Sequence, residues 1–255
     1  MPAFAKRIVS KPEFGPFALL LAMVIIFWEL NPAFLSLRNI SNTLAFTVEL
    51  GLIALAMTLL MTSGEFDLSV GSLFGFSPVL MWTLYNTGIA SIEISFAIAL
   101  ATALGIGLIS GLFVTRLKIP SFLVTLGMLL VVRGTALYVT NGFPQRTWNA
   151  KDLPLAQLLV GDFTVAGLRL YMSLLWFIAA AVLLSILLTR TKTGNWIQAS
   201  GGNANAARAR GVDVNRTKIK LFMLSAAMAG FAGVISSIRT AAANPNSGTG
   251  YELEV

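Results

Sequence analysis

Seven runs of apolar residues, each near the length that crosses a lipid bilayer, divide this chain and limit what it can fold into. They cover residues 17–30, 44–62, 69–85, 94–114, 121–140, 170–188 and 219–238. A helix needs roughly 20 apolar residues to span the hydrocarbon core of a membrane. Hydrophobic residues make up 56% of the 255 residues and charged residues only 11%, which leaves too little polar surface for a soluble domain. The sequence therefore predicts an all-α polytopic integral membrane protein with about seven transmembrane helices.

The charged residues are distributed unevenly between the two ends of these runs. If successive runs cross in alternate directions, one side receives Lys6, Arg7, Lys11, Arg116, Lys118 and the cluster from Arg190 to Lys220. The other side receives Arg38, Arg146, Lys151, Arg169 and Arg239. Cytoplasmic loops are enriched in Lys and Arg, so the asymmetry predicts a cytoplasmic N-terminus. It also accounts for the net charge of +7 by contact with a membrane, without a nucleic-acid partner.

The first run has an alternative interpretation as a cleaved signal peptide. Residues 28–32, at the end of this run, lack the small-residue pattern of a cleavage site. We therefore expect a retained membrane anchor.

A polar, alanine-rich segment from Ala199 to Val214 lies between the sixth and seventh runs. Its charges and irregular backbone would be unsatisfied in lipid, so it lies outside the bilayer. The pair Gly201-Gly202 predicts a break, the residues up to Arg210 favour a short helix, and Gly211 ends it. We expect this helix, within a cytoplasmic loop over residues 190–218, to be offered to a partner protein.

Residues 64–72, Gly-Glu-Phe-Asp-Leu-Ser-Val-Gly-Ser, join the second and third runs. Two carboxylates beside glycines at a membrane break are compatible with an ion or proton site. A structural role is favoured, in which Asp67 or Ser69 caps the next helix, because no basic partner is evident nearby in the sequence.

Glu49 and Arg133 are the charges placed most plainly inside apolar runs. Burying either without a partner costs on the order of 3 kcal/mol or more. They are expected to pair with each other or to face a water-filled path, and a structural role is favoured over contact with a substrate. We predict that Arg133 faces the protein interior.

Several classes of function are excluded by residues that the chain lacks. It has no Cys and no His, which removes disulfides, thiolate or imidazole metal sites and most nucleophile–base pairs. No phosphate-binding loop of the form Gly-x-x-x-x-Gly-Lys-Ser/Thr occurs, so the chain is not itself a nucleotide hydrolase. We expect no cofactor and no metal. Two Gly-x-x-x-Gly patterns, at 71–75 and 107–111, favour tight packing of helices.

Three blocks occur in order along the chain and carry a family resemblance. They are residues 64–72, then 120–128 with 132–134 and 140–142, then 193–214. Together they resemble the permease subunits of ribose- and xylose-type ABC importers, a branch of bacterial binding-protein-dependent sugar transport. The first block is similar to the family's Gly-Gly-Ile-Asp-Leu-Ser-Val-Gly-Ser signature except at Glu65 and Phe66. The third resembles its Gly-Asn-x-x-Ala-Ala-Arg-x-x-Gly cytoplasmic loop. The resemblance runs from about residue 39 to the last residue.

This resemblance implies a single transmembrane permease domain over residues 1–255, with the bundle of an ABC importer permease. Two permease subunits, identical or different, would form a pathway for a monosaccharide or related polyol through the bacterial inner membrane. Two ATPase subunits would dock on the cytoplasmic side and hydrolyse ATP, so the chain itself would be no enzyme. A periplasmic solute-binding protein would deliver the substrate. The resemblance assigns no substrate-binding residues.

The resemblance also implies a coupling helix that enters a groove of the ATPase. The residues it assigns to coupling are Gly201, Gly202, Asn203, Ala206, Ala207, Arg208 and Gly211. Small side chains would allow the helix to seat deeply, and the arginines would hydrogen-bond to the partner. At the break it assigns a structural motif of Gly64, Asp67, Ser69, Gly71 and Ser72. A solvated basic loop without a partner is the alternative interpretation of residues 202–211.

Related permeases continue beyond the motif resembling residues 250–254 with further glycine-rich spans. Here the sequence stops at Val255, so we expect a domain that is C-terminally incomplete relative to the family. Two other functions stay open at this point. A branched-chain amino-acid ABC permease would share the coupling loop, and an ion-coupled secondary carrier would need paired intramembrane acids that are not evident.

Overall fold

The computed structural model describes residues 14–147 and 150–255, and helices account for most of them. The helices are α1 (Phe14–Leu30), α2 (Leu37–Thr62), α3 (Val70–Asn86), α4 (Ile92–Arg116), α5 (Ser121–Thr140), α6 (Pro154–Val160), α7 (Met172–Arg190), α8 (Lys192–Gly202), α9 (Ala204–Ala209), α10 (Val214–Thr240) and α11 (Tyr251–Glu254). The strands are β1 (Gln145–Arg146), β2 (Asp162–Val165), β3 (Leu168–Tyr171) and β4 (Ala242–Ala243). Short 3₁₀ turns cover Pro32–Leu35 and Ala150–Asp152. Each predicted apolar run coincides with one of the long helices, and the all-α membrane class is confirmed.

Five helices within the described residues are long and apolar enough to cross a membrane: α2, α4, α5, α7 and α10. The helix α1 is apolar but has only 17 residues, and α3 also has 17. The expected count of seven spans is therefore not confirmed, although all seven helices exist. Lys6, Arg7 and Lys11, which entered the predicted charge asymmetry, lie outside the described residues.

Helix α10 is the centre of the bundle, and α2, α3 and α4 pack around it. Two thirds (67%) of its apolar window is buried, against 6% in α7 and none of the residues of α1. The apolar outer faces of α1 and α7 therefore have the exposure of lipid-facing helices.

Close contacts between α4 and α10 depend on glycine. A Cβ added at Gly107 would lie 2.5 Å from the carbonyl oxygen of Phe222, and one at Gly111 would lie 2.9 Å from the Cα of Ile219. The pattern at 107–111 therefore does bring two helices together, as expected of small residues in membrane bundles.

The two ends of the bundle are distinguished by what connects the helices. At one end, Gly64 after α2 approaches Gly201 of α8, and the short helix α9 follows. At the opposite end, β1 after α5 pairs antiparallel with β4 after α10, with Gln145 opposite Ala243. A hairpin of β2 and β3, with Asp162 opposite Tyr171, lies on the start of α2 at this second end. These connections agree with alternate threading of the helices.

Candidate functional site

The helix α9 is a separate six-residue element with its own cap. The side-chain oxygen of Asn203 accepts hydrogen bonds from the backbone N–H groups of Asn205 (3.1 Å) and Ala206 (3.0 Å). Gly211, with φ of +83°, follows the helix in the left-handed conformation that favours glycine. The sequence placed the break at Gly201-Gly202. Instead α8 continues through Gly202 and the chain breaks at Asn203, because the Asn203 side chain caps the new helix.

The residues assigned to coupling divide into two faces of this segment. Ala207 is buried against the rest of the chain, whereas Gly202, Asn203, Ala206 and Arg208 are exposed. The Arg208 guanidinium donates to the side-chain oxygens of Asn205 (3.2 Å) and, more weakly, Asn215. Ala207 therefore anchors α9 to the protein, and the surface open to a partner is formed by its exposed neighbours.

Gly201 seats α8 directly on the end of α2. The backbone carbonyl oxygen of Thr62 occupies the place where a Cβ of Gly201 would stand. A Cβ added at Gly64, whose φ is +84°, would lie 3.7 Å from the Cα of Gly201. Two blocks that are far apart in sequence, 64–72 and 193–214, thus meet at one point of the structure.

An ion pair joins the same break to the base of α10. The Lys218 Nζ lies 2.5 Å from Glu65 Oε1, and the two side chains are only 15% and 14% exposed. No basic residue lies near residues 64–72 in the sequence, yet the fold supplies one for Glu65. The partner is distant in sequence, so local inspection of the segment did not find it.

Asp67 organises the turn that leads into α3. Its Oδ1 accepts hydrogen bonds from the Ser69 backbone N–H (2.9 Å) and the Ser69 hydroxyl (2.6 Å). Ser69 itself makes no side-chain cap, while Ser72 donates its hydroxyl to the Ser69 carbonyl (2.7 Å). The capping role predicted for Asp67 or Ser69 thus takes the form of a turn closed by Asp67.

The second oxygen of Asp67, Oδ2, is buried and has no hydrogen-bond partner among the described residues. Burial raises the pKa of the Asp67 carboxyl above its ordinary value of 3.8, while the hydrogen bonds from Ser69 lower it. No group of three or more acidic or metal-ligating side chains occurs in the part of the chain that the structure describes. The hydrogen bonds from Ser69 to Asp67 are those expected for a structural role at this break.

Glu49 and Arg133 do not pair with each other. Glu49 instead pairs with Arg239 at the end of α10, with Nε 2.7 Å from Oε1, and both side chains are nearly buried. The guanidinium of Arg239 also stacks on the Phe46 ring at 4.1 Å. A buried carboxylate needs a close cation, and Arg239 supplies it from 190 positions away.

Arg133 points into the bundle and binds backbone carbonyls. Its Nη1 donates to the oxygens of Pro245 (2.5 Å) and Ser247 (2.8 Å), and its Nη2 donates to Gly71 (3.0 Å). Arg133 lies seven residues before the end of α5, or about 10 Å along the helix. It therefore satisfies non-helical backbone that returns into the bundle after β4.

The returning segment, residues 244–250, was not singled out by the sequence analysis. A Cβ at Gly71 or Gly75 would collide with carbonyl oxygens of this segment, so the glycines at 71–75 accommodate an unwound chain and not a second helix. The sequence of this segment, Asn-Pro-Asn-Ser-Gly-Thr-Gly, indicates a non-helical backbone, because such residues favour turns over helix.

Comparison with known proteins agrees with the sequence blocks. Residues 39–255 match the family model described as "Branched-chain amino acid transport system / permease component". No solved structure matches the chain significantly.

Curated relatives lie among sugar import permeases. The chain is 32% identical over 236 residues to the ribose import permease protein RbsC of Escherichia coli K12. The aligned region covers 92% of this chain and 72% of the relative. The chain is 34% identical over 242 residues to RbsC of Bacillus subtilis 168, covering 95% and 73%. It is 32% identical over 239 residues to the xylose/arabinose import permease protein XylH of Sulfolobus acidocaldarius, covering 91% and 64%.

These matches confirm the family that the three sequence blocks indicated. They extend over nearly the whole described bundle, including the break at 64–72 and the segment that carries α9. The chain therefore belongs to this family of membrane-embedded permease components of transport systems.

Proposed function

We propose that this chain is the permease subunit of an ATP-driven importer for a monosaccharide or related polyol. The observation that carries the proposal is the similarity, over more than 90% of the chain, to permeases named for ribose, xylose and arabinose import. The family description mentions branched-chain amino acids, but the curated relatives quoted above are sugar permeases. The chain would be a multi-pass protein of the bacterial inner membrane with its N-terminus in the cytoplasm.

The proposed partners follow from this role. ATPase subunits hydrolyse ATP on the cytoplasmic side, a periplasmic solute-binding protein delivers the sugar, and a second permease subunit completes the pathway. ATP hydrolysis resides on the partner, so this chain contributes the path and the coupling element.

In the proposed mechanism, α9 receives movement from the ATPase and passes it inward through backbone contacts. The exposed face with Ala206 and Arg208 seats in the partner, while buried Ala207 ties α9 to the protein. Gly201 of α8 lies against the backbone carbonyl of Thr62 at the end of α2, and no flexible side chain separates the two helices there. This contact would pass the displacement of α8 to α2. Displacement at α9 thus reaches the break between α2 and α3, and the packed helices shift as near-rigid units.

The experiment that tests this function is sugar uptake by cells that express the chain with its ATPase subunits. The change Ala206→Trp adds bulk on the exposed docking face, and uptake of radiolabelled pentose should fall about tenfold or more, equal to about 1.4 kcal/mol of coupling. The matched control is Ile89→Trp, which places the same large side chain at an exposed position of the opposite end.

The controls separate the alternatives. Both variants should insert in the membrane at wild-type levels, and only Ala206→Trp should lose uptake. Deleting the ATPase should abolish uptake of the wild-type chain. Uptake of leucine in place of pentose would favour an amino-acid permease, and uptake that persists without the ATPase would identify an ion-coupled carrier.

A further inference from the structure

A recess lies at the end of the bundle opposite α9, and no role has been assigned to it above. It is bounded by α6, by the base of the β2–β3 hairpin and by the last turn of α10, and its volume is about 440 Å³. Small-molecule sites in proteins fall in the range of roughly 300–1,000 Å³. Five polar residues contribute to its lining: Gln157, Asp162, Arg169, Tyr171 and Arg239. We refer to it as the hairpin recess.

Backbone and side-chain bonds hold the hairpin recess in shape. The Arg169 guanidinium donates two parallel hydrogen bonds to the Asp162 carboxylate, each 2.9 Å long, across the hairpin. It also lies 5.6 Å from the centre of the Tyr171 ring. The Ser41 hydroxyl donates to the Arg169 carbonyl oxygen and ties the hairpin to α2. A site that is formed before its ligand arrives loses less conformational entropy on binding.

The charges around the hairpin recess cancel in pairs. Of the two arginines in the described lining, Arg169 pairs with Asp162 and Arg239 pairs with Glu49. A phosphorylated or carboxylate ligand would have to break one of these pairs to bind either lining arginine. The recess therefore suits a neutral ligand with many hydrogen-bonding groups.

Hydrogen-bonding capacity remains at the hairpin recess after those pairs are formed. Arg239, one of the lining residues, has a buried Nη2 with no hydrogen-bond partner among the described residues. Gln157 is exposed and can offer both an amide donor and a carbonyl acceptor to one hydroxyl group. The Tyr171 ring adds an amphipathic surface of the kind that packs against a sugar ring.

We infer that the hairpin recess binds a neutral polyol such as a pentose on the outer side of the membrane, before the substrate enters the pathway. The inference rests on the proposed function, which makes this end of the bundle the outer one and a sugar the cargo. Gln157 should form hydrogen bonds with a hydroxyl group of the ligand. Arg169 and Arg239 already pair with carboxylates, so the recess should bind a neutral sugar in preference to a charged one.

The test is binding of small sugars to the full chain in lipid nanodiscs, without the binding protein, followed by saturation-transfer NMR. D-Ribose and D-xylose should give saturable transfer, while D-ribose 5-phosphate at equal concentration should give none. The change Gln157→Leu keeps the size of the side chain and removes its donor and acceptor, so pentose affinity should fall about fivefold. The control Thr164→Val also removes a polar group from an exposed site of the hairpin, outside the lining, and should leave affinity unchanged.

Three results would overturn the inference: no saturable binding of either pentose, equal affinities of Gln157→Leu and Thr164→Val, or binding of the phosphorylated sugar as tight as that of ribose. If Gln157→Leu reduces uptake in cells without changing the nanodisc titration, the recess contacts the binding protein, and the inference is again wrong. Loss of the ATPase requirement for pentose uptake, in contrast, contradicts the proposed function and not the recess.

Discussion

At the scale of single residues, the structure gives polar groups and glycines roles that their neighbours in sequence do not reveal. Asp67 closes a turn and keeps one oxygen buried without a described partner. Gly201 has a carbonyl oxygen where a side chain would begin, whereas Gly202 beside it has open space. Adjacent residues of one motif can therefore tolerate very different changes.

The buried carboxyl of Asp67 leads to a prediction about pH. Because burial raises the pKa of this carboxyl, the folded state binds the proton more tightly than the unfolded state does. The free energy of unfolding therefore falls as the pH rises from the ordinary pKa of 3.8 to the raised pKa of the folded state. Asp67→Asn keeps the acceptor for Ser69 and carries no charge. The melting temperature of Asp67→Asn should match or exceed that of the wild type, with an advantage that is larger at pH 8 than at pH 4, close to the ordinary pKa of the carboxyl.

Thermal unfolding in detergent at the two pH values measures this effect. Asp67→Ala, which removes the carboxyl group without adding bulk, loses the bonds to Ser69 and should unfold at a lower temperature. An Asp67→Asn protein that is less stable than the wild type at pH 8 would contradict the inference that burial raises the pKa of the Asp67 carboxyl.

The glycine pair provides a second prediction with an internal control. Gly201→Ala forces a methyl group against the Thr62 carbonyl, so α8 must move off the end of α2 at a cost of about 1–3 kcal/mol. Uptake should fall in this variant because the contact between α8 and α2 is weakened. Gly202→Ala meets nothing within 4 Å in this chain and adds only a methyl group to the exposed face, so uptake should fall much less than in Gly201→Ala. Equal uptake by the two variants would show that the α2–α8 contact does not carry the coupling.

At the scale of helices and loops, local sequence explains the helices but not their pairing. Apolar runs and breakers placed all seven long helices, because these signals lie within the segments themselves. The ion pairs Lys218–Glu65 and Arg239–Glu49 join residues 153 and 190 positions apart. A single sequence does not indicate which distant cation meets which carboxylate, so both partners were missed. The same limit applies to the return of residues 244–250, which depends on Arg133 and the glycines of α3.

The pair Lys218–Glu65 links the α2–α3 break to α10, and we expect it to be part of the coupling path. Glu65→Gln and Lys218→Met should each reduce pentose uptake and ATPase stimulation by substrate, because either change leaves a partly buried charge unpaired. The exchanged pair Glu65→Lys with Lys218→Glu should restore much of the loss. A double-mutant cycle should give an interaction energy of about 0.5–3 kcal/mol, and an additive cycle would contradict a functional link.

At the scale of the whole molecule, the two ends of the bundle carry different features, and helix α10 connects them. One end carries α9, seated through backbone contacts on the break between α2 and α3. The other carries the hairpin recess and the β1–β4 connection, from which residues 244–250 descend towards Gly71. Helix α10 runs between them and contacts both, with Lys218 near one end and Arg239 near the other. Under the proposed function, movement of α10 relative to α2 and α3 would connect α9 with the hairpin recess.

We propose that α9 faces the cytoplasm and contacts the ATPase. The chain contains no cysteine, so the accessibility of one introduced cysteine can be measured without background labelling of this chain. A single Ala206→Cys substitution can be labelled with a membrane-impermeant maleimide in inside-out vesicles and in spheroplasts. We predict labelling in the inside-out vesicles alone, and protection from the reagent when the ATPase subunits are bound. Labelling of Cys-substituted position 206 from the outside of spheroplasts would contradict the account.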